Sequence, residues 1–154
     1  MTETAETGKI VAVSNTGPLI SAFQCGRTDL LKRYFSVIYI PASELAEFDR
    51  HGWTDDILRL INDGSVIVAE PLTEREKEAA ERVARRIAAD LTSGDPDWRS
   101  HLPEAEAIAL MQQRTSLVID QILLDEKAAR NAAQELGLHL TGFPGVLGRA
   151  GLDG

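Results

Sequence analysis

The chain has 154 residues, of which 44% are hydrophobic and 26% charged, a composition typical of one globular domain. Its single cysteine, Cys25, excludes an internal disulfide, and no apolar run approaches the ~20 residues of a membrane-spanning helix. The net charge of −8 disfavours nonspecific binding to phosphates, so cleavage of nucleic acid would need a cation or a local basic rim. We therefore expect a cytoplasmic protein without membrane contact, with a disordered leader at 1–8 and a single domain at 9–154.

Strand and helix patterns alternate along the first half of the chain. Runs rich in β-branched residues predict strands at 9–14, 37–40 and 66–69. Between these strands, apolar spacing predicts a short helix at 19–24, a helix capped by Thr28, and helices at 43–50 and 55–62.

The second half continues the alternation. The clearest helix is predicted at 74–90, where Ala80, Val83, Ala84 and Ile87 recur at three- and four-residue spacing. After it, the sequence predicts a loop at 92–103, a helix at 104–114, a strand within 117–124, a helix at 127–136, a strand at 138–141 and a helix at 145–150. This order implies a parallel sheet covered on both faces, and sheets of this kind bind ligands beyond the carboxyl ends of their strands.

Acidic and amide side chains lie within or after the first four predicted strands, in the helix after the second strand, and at the start of the helix that leads into the fourth. They are Asn15, Glu44, Glu47, Glu70, Glu104, Glu106, Asp120 and Asp125. Oxygen ligands of this kind suit the hard cations Mg²⁺ and Mn²⁺, which could neutralise a phosphodiester and activate water. The alternative is that each carboxylate is a solvated surface group or a helix cap, because acidic residues are abundant and strand-end loops are polar.

The predicted helix at 104–114 is apolar nearly all round, so its acidic residues must point at something specific. Glu104 and Glu106 are about 200° apart on the helical wheel. We therefore predict that one of them is a ligand and the other a cap or an ion-pair partner.

Other side chains give weaker indications. His51, His101 and His139 show no metal-ligand spacing, so no zinc site is predicted. Trp53 and Trp98 fit either packing under a loop or stacking on bases. The basic run of Arg82, Arg85 and Arg86 fits either a solvated face or part of a phosphate-binding rim.

Several segments together resemble the PIN domains. Residues 13–20, VSNTGPLI, resemble the opening of that family, in which a strand ends in an acidic residue followed by small residues and Leu-Ile. Residues 37–41 with Glu47, and the acidic helix start at 104–110, look like the prokaryotic PIN-like branch related to VapC-type toxins. The closing segments at 125–130 and 141–147 are also similar to that branch, and the resemblance spans roughly 10–150.

The resemblance implies an α/β fold of three layers, α/β/α, around a central, mostly parallel sheet. It also implies a Mg²⁺ or Mn²⁺ site and hydrolysis of single-stranded RNA. Carried over by position, the metal ligands would be Asn15, Glu47, Glu104 and Asp125, and the catalytic residues Glu47, Glu104 and Asp125. Glu44, Glu106 and Asp120 are less certain members, and Asp120 is a rival of Asp125. Asn15 stands where the family usually has aspartate, so the site would hold its cation with one charge fewer.

The sequence therefore predicts a metal-dependent ribonuclease, the toxin of a toxin–antitoxin pair, with single-stranded RNA as substrate. A basic antitoxin protein is the expected partner, and a homodimer is a further possibility. The alternative is a PIN-fold binding module that has lost catalysis and acts through a protein partner, which Asn15 favours. A receiver or flavodoxin-like domain shares the element order but should show an acidic pair or a phosphate-binding loop after the first strand.

Overall fold

Five parallel strands form one sheet in the computed structural model, which describes residues 9–153. The strands are β1 (Ile10–Ser14), β2 (Phe35–Ile40), β3 (Val66–Val68), β4 (Gln121–Leu123) and β5 (Leu140–Thr141). Their order across the sheet is β3-β2-β1-β4-β5, and every neighbouring pair is parallel. Because β1 is central, the residue that follows it lies at the middle of the sheet's carboxyl edge. The predicted parallel α/β architecture is confirmed.

Helices cover both faces of the sheet. Within the described residues they are α1 (Thr16–Cys25), α2 (Thr28–Tyr34), α3 (Leu45–Arg50), α4 (Thr54–Asn62), α5 (Glu74–Ala89), α6 (Leu102–Gln113), α7 (Lys127–Glu135) and α8 (Phe143–Asp153), with 3₁₀ turns at Ala42–Glu44 and Trp98–His101. Among the same residues, no helix combines the length and the apolar character that crossing a bilayer requires. The predicted leader at 1–8 lies outside the described residues.

Two hydrophobic clusters lie on opposite faces of the sheet. Val13 belongs to a cluster built mainly from α5, α6 and α7, whereas Ala12, its neighbour in β1, belongs to a cluster with α1, α2, α4 and α8. Successive side chains of a strand point to opposite faces, so β1 is buried on both sides. This explains its nearly continuous apolar sequence and confirms the three-layer α/β/α arrangement.

Local sequence accounts for the best-predicted helix. Thr73 accepts a hydrogen bond from the backbone N–H of Glu76, and the Glu76 side chain accepts one from the backbone N–H of Thr73, which makes a capping box at the start of α5. Ala80, Val83 and Ile87 are buried as the predicted spacing requires. Helices α5 and α6 pack against each other, and Arg114, just after α6, pairs with Glu76 at the start of α5.

Three predicted boundaries are corrected by the structure. Pro103 lies in the first turn of α6, where a missing N–H costs no hydrogen bond, so the helix begins before the predicted loop at 92–103 ends. The strand predicted within 117–124 shrinks to β4, and Val118 is 78% exposed before it. The last helix runs over Phe143–Asp153 and is longer than the predicted 145–150.

Candidate metal centre

The carboxyl end of β1 delivers Asn15 into the protein interior. Asn15 follows Ser14 directly and is only 7% exposed. Its Nδ2 donates a long hydrogen bond of 3.4 Å to Oε1 of Glu104, whereas its Oδ1 is buried without a hydrogen-bond partner. A buried polar oxygen without a partner costs roughly 1–3 kcal/mol, so this atom is poised for a donor or a cation.

Glu104 lies in the first turn of α6 and meets Asn15 from the other side of the cluster. Its second oxygen, Oε2, is also buried without a hydrogen-bond partner. Burial raises the pKa of Glu104 to about 7, and the negative charge of Glu126 adds to the rise, while a backbone hydrogen bond and the nearby His101 oppose it. Glu104 is therefore a carboxyl group that needs a positive charge to ionise fully at neutral pH.

His101 and Glu126 complete a compact group with Glu104. His101 ends the 3₁₀ turn just before α6 and is 4% exposed, and Glu126 follows β4 as the N-cap of α7. One ligand atom from each of the three residues lies within 4.8 Å of the other two. Two carboxylates and an imidazole gathered this closely could hold a divalent cation.

Glu44 is the most deeply buried carboxyl group of this region, at 1% exposure. It ends the 3₁₀ turn after β2, and its Oε1 accepts hydrogen bonds of 3.0 Å from both the N–H and the hydroxyl of Thr16. Burial raises the pKa of Glu44 to about 7; the bonds from Thr16 oppose the rise, and the charges of Glu104 and Glu106 increase it. Glu44 therefore shares the electrostatic environment of Glu104 and fixes the start of α1, next to Asn15.

The donor set fits a divalent cation. Asn15 Oδ1 and Glu104 Oε2 are the two buried side-chain oxygens that lack a partner in the described part of the chain, and both belong to this cluster. Burial, with a smaller contribution from neighbouring carboxyl groups, raises the pKa of both Glu44 and Glu104 to about 7, so an uncompensated negative charge is unfavourable here. A bound divalent ion would satisfy the oxygens and offset the charge. Asn15, Glu104, Glu126 and His101 could hold it.

This combination of a parallel α/β/α fold and an acidic cluster at the carboxyl edge agrees with a match to a known family. Residues 11–154 match the family model described as DUF3368: PIN domain. The chain belongs to the PIN-domain family. A search of curated proteins finds no match to the chain.

The PIN fold is a nuclease-type fold, and two of its predicted site residues, Asn15 and Glu104, are brought into contact here. Glu47 is not brought to them by any contact within residues 9–153. Its carboxylate pairs with Arg50 at 2.7 Å and with His51 at 3.6 Å along its own helix. In this structure Glu44, and not Glu47, lies beside Asn15 and within electrostatic reach of Glu104. The helix predicted at 43–50 begins as a 3₁₀ turn at Ala42–Glu44, which changes the rotation between the Glu44 and Glu47 side chains.

Glu106 lies at the edge of the same acidic region in this PIN domain. Its Oε1 accepts a hydrogen bond of 2.5 Å from the hydroxyl of Ser43, and its charge raises the pKa of Glu44. The helical wheel separates it from Glu104, as predicted, yet Glu44 lies within electrostatic reach of both. Glu104 is therefore the candidate ligand, and Glu106 is a second source of negative charge around Glu44.

The register of β4 decides between Asp120 and Asp125. The backbone N–H of Val11, near the amino end of β1, donates to Asp120 Oδ2 at 2.9 Å, so Asp120 lies at the edge opposite Asn15. Asp120 therefore lies apart from Asn15 and Glu104 in this structure. Asp125 lies beyond the carboxyl end of β4, where the N–H of Phe143 and the hydroxyl of Ser21 donate to its two oxygens at 3.1 and 3.4 Å. It is exposed and contacts the start of α8.

Two ligand candidates, His101 and Glu126, were not predicted from the sequence. The signal for His101 was its position three residues before Glu104, a spacing that places two side chains on neighbouring turns and suits metal ligation. Glu126 directly follows the predicted ligand Asp125. Which of these two neighbouring carboxylates faces Glu104 depends on the direction of each side chain after β4, and only the tertiary structure shows that direction.

A cleft of about 670 Å³ lies away from this centre, between β3 and the facing ends of α5 and α6. Its polar wall includes Arg114, whose guanidinium donates to both carboxylate oxygens of Glu76 and to the carbonyl oxygens of Glu70 and Pro71. Those bonds join the two helices to the end of β3. The polar groups that line this cleft are therefore already paired with each other. The oxygens that lack hydrogen-bond partners lie in the acidic cluster instead.

Proposed function

We propose that this PIN domain is a divalent-metal-dependent endoribonuclease that cleaves single-stranded RNA, with Mg²⁺ or Mn²⁺ as the ion. The observation that carries the proposal is the pair of buried, unpartnered oxygens of Asn15 and Glu104 within a group of acidic side chains. A divalent ion, when bound, lowers the pKa of a water nucleophile and offsets the charge that develops on a phosphate.

The protein's own side chains have distinct tasks in this proposal. Asn15, Glu104, Glu126 and His101 would hold the ion, while Glu44 is a positioning residue, because its two bonds to Thr16 fix the backbone next to Asn15. Asp125 lies exposed at the rim, between Ser21 and the start of α8, where it could orient the substrate. Together they would present one phosphodiester to the centre.

A basic aromatic surface beside the centre supports a nucleic-acid substrate. Trp98 begins the 3₁₀ turn that ends at His101, and the guanidinium groups of Arg85 and Arg99 lie 4.6 and 4.8 Å from its ring centroid. Guanidinium groups attract phosphates, so this surface could guide a negatively charged strand past a chain whose net charge is −8. Arg85 is also paired with Glu81, which limits its contribution.

We further propose that the domain acts in the cytoplasm as the toxin of a toxin–antitoxin pair. Clustered carboxyl groups without a cation attract a positive side chain, and an arginine from a small basic protein could donate to the free oxygens of Asn15 and Glu104. A pull-down of the tagged protein with its neighbouring gene product should recover a complex. Recovery of the PIN domain alone would remove this part of the proposal.

The cleavage assay compares variants on an end-labelled single-stranded RNA while Mn²⁺ is titrated. Wild type should cleave slowly and act little on duplex RNA, and Glu104→Gln should lose cleavage because it removes a charged ligand. Glu78→Gln, the same chemical change on the exposed face of α5, is the matched control and should cleave like wild type. Equal cleavage by wild type and Glu104→Gln would show that another site or a contaminant is responsible.

The second candidate function is a PIN-fold binding module without catalysis. It is favoured by Asn15, because an amide brings no charge to a position where the family usually has a carboxylate. Wild type and Asn15→Asp should be assayed together for RNA cleavage and for Mn²⁺ binding by calorimetry. If both bind Mn²⁺ and neither cleaves RNA, the binding module replaces the ribonuclease.

A further inference from the structure

The hydrogen bonds of His101 define which of its ring nitrogens carries the proton. Nε2 lies 2.7 Å from the backbone carbonyl oxygen of Asp95 and 3.1 Å from the hydroxyl of Ser93. A carbonyl oxygen can only accept, so Nε2 is the donor. The Ser93 hydroxyl donates to the same carbonyl at 2.8 Å, which keeps this side of the ring satisfied. In a neutral ring, Nδ1 is then left with a lone pair.

That lone pair faces a carboxylate. Nδ1 of His101 lies 3.4 Å from Oε1 of Glu126, and Glu104 lies in the same group of ligand atoms. A neutral imidazole nitrogen and an ionised carboxylate are both acceptors, so neither satisfies the other. A protonated ring would instead form an ion pair with Glu126 at this 3.4 Å distance, which is longer than the ~2.7–2.9 Å of a charge-assisted hydrogen bond. A cation between the two groups satisfies both.

A second, independent feature points into the same place. Asn15 is buried to more than nine-tenths, and its Oδ1 lacks a hydrogen-bond partner while its Nδ2 contacts Glu104. The unpartnered Oε2 of Glu104 lies in the same cluster. Asn15 thus brings a second unpartnered oxygen to Glu104, which is itself a member of the group with His101 and Glu126.

We propose that His101 binds the metal ion directly through Nδ1, and that the centre therefore prefers first-row transition ions to Mg²⁺. This inference rests on the metal centre of the proposed ribonuclease and adds a nitrogen ligand to a set otherwise made of oxygens. Imidazole binds transition ions well and Mg²⁺ poorly. The bond from Nε2 to the Asp95 carbonyl is the outer contact that holds a ligating histidine in the correct tautomer and orientation.

The test uses the intact chain with Mn²⁺ as a paramagnetic probe. Pulsed electron paramagnetic resonance detects a nitrogen bonded to Mn²⁺ through its hyperfine coupling, independently of any RNA cleavage. Wild type should show this coupling. His101→Gln should lose it, because the glutamine amide can still donate to the Asp95 carbonyl while no imidazole Nδ1 remains. His51→Gln is the matched control, since His51 also faces a glutamate but is exposed, and it should keep the coupling.

Calorimetric titrations of the same proteins with Co²⁺ and Mg²⁺ measure the selectivity. Loss of a direct ligand should weaken Co²⁺ binding at least as much as the roughly 10–100-fold typical for loss of an outer-shell partner, with little change for Mg²⁺. An equal loss for both ions in His101→Gln would contradict the selectivity. A thermal melt of each variant checks folding, and the wild-type spectrum alone remains decisive if His101→Gln does not fold.

The outcomes separate the two proposals. Bound Mn²⁺ without nitrogen coupling overturns the role of His101, even if RNA is cleaved, and would indicate a protonated ring paired with Glu126. Nitrogen coupling that survives in His101→Gln also overturns it. Nitrogen coupling without RNA cleavage would establish His101 as a ligand and would overturn the proposed ribonuclease activity. No Mn²⁺ binding at all overturns both.

Discussion

Replacing Glu44 with glutamine should stabilise the metal-free protein at alkaline pH. Glu44 is 1% exposed, and its Oε1 accepts two hydrogen bonds from Thr16. Glutamine has nearly the same shape, and its carbonyl oxygen can accept both bonds. The substitution therefore removes a buried charge without removing its hydrogen-bond partners, and its effect reports the electrostatic cost of the cluster.

The direction and size of the expected change in the free energy of unfolding follow from the raised pKa of Glu44. In the unfolded chain this carboxyl ionises near 4.5, and in the folded chain near 7. Between these values the folded state retains a proton that the unfolded state releases, so raising the pH destabilises the fold, and the full loss is reached above pH 7. At 1.36 kcal/mol per pH unit this amounts to roughly 3 kcal/mol. Part of it comes from the repulsion of Glu104, which the substitution also relieves.

Urea denaturation in EDTA at pH 5 and pH 8 measures the effect. With a typical m-value of about 2 kcal/mol/M, Glu44→Gln should raise the midpoint at pH 8 by about 1.5 M and change it little at pH 5. Glu47→Gln is the matched control; its carboxylate is partly exposed and paired with Arg50, so its midpoint should change by well under 1 M. Asp63, whose pKa is lowered to about 2 by the hydrogen bond that it accepts from Lys32, changes the stability of the fold only below pH 5 and does not affect this comparison.

Two results would refute this reasoning. One is an equal midpoint for wild type and Glu44→Gln at pH 8, which would mean that the carboxyl group is solvated or already neutralised. The other is a wild-type stability that rises between pH 5 and pH 8 in EDTA. If added Mn²⁺ restores the stability that the wild type loses at pH 8, the ion supplies the positive charge that the cluster lacks.

Three further outcomes are expected. Arg114→Met leaves the buried Glu76 without its partner and should cost roughly 2–3 kcal/mol in urea denaturation at pH 7; an unchanged midpoint would show that the pair is not structural. Gly142→Ala would place a Cβ 2.6 Å from Asp125 Oδ1 and 2.9 Å from a backbone carbonyl oxygen, so it should lower stability by about 1–3 kcal/mol, which a thermal melt can measure. Asn15→Asp adds a charged ligand and should tighten Mn²⁺ binding in calorimetry while destabilising the metal-free fold; weaker Mn²⁺ binding would place the ion elsewhere.

The sequence alone determined the element order and the parallel sheet. The β-branched runs that became β1, β2 and β3 and the three- and four-residue spacing of α5 are local patterns, and burial imposes them directly on the sequence. The placement of Asn15 at the carboxyl edge followed from the same patterns, because a residue that ends a central parallel strand has only one edge to occupy. The resemblance to PIN domains rested on these ordered segments, and the family match over 11–154 confirms it.

Only the tertiary structure decided which acidic side chains meet. Glu44, rather than Glu47, lies beside Asn15 in this structure; a 3₁₀ turn precedes α3 and changes the rotation of the chain by an amount that sequence periodicity does not reveal. Asp120 falls at the wrong edge because the register of β4 against β1 is set by long-range pairing, and a shift of a few residues moves a side chain from one edge of the sheet to the other. His101 joins Glu104 because it ends a short 3₁₀ turn before α6, and the carbonyl group of Asp95 in the preceding loop orients its ring. The register of β4 depends on pairing between segments far apart in the chain, and the two short 3₁₀ turns have no periodic signal in the sequence, so local patterns encode none of the three.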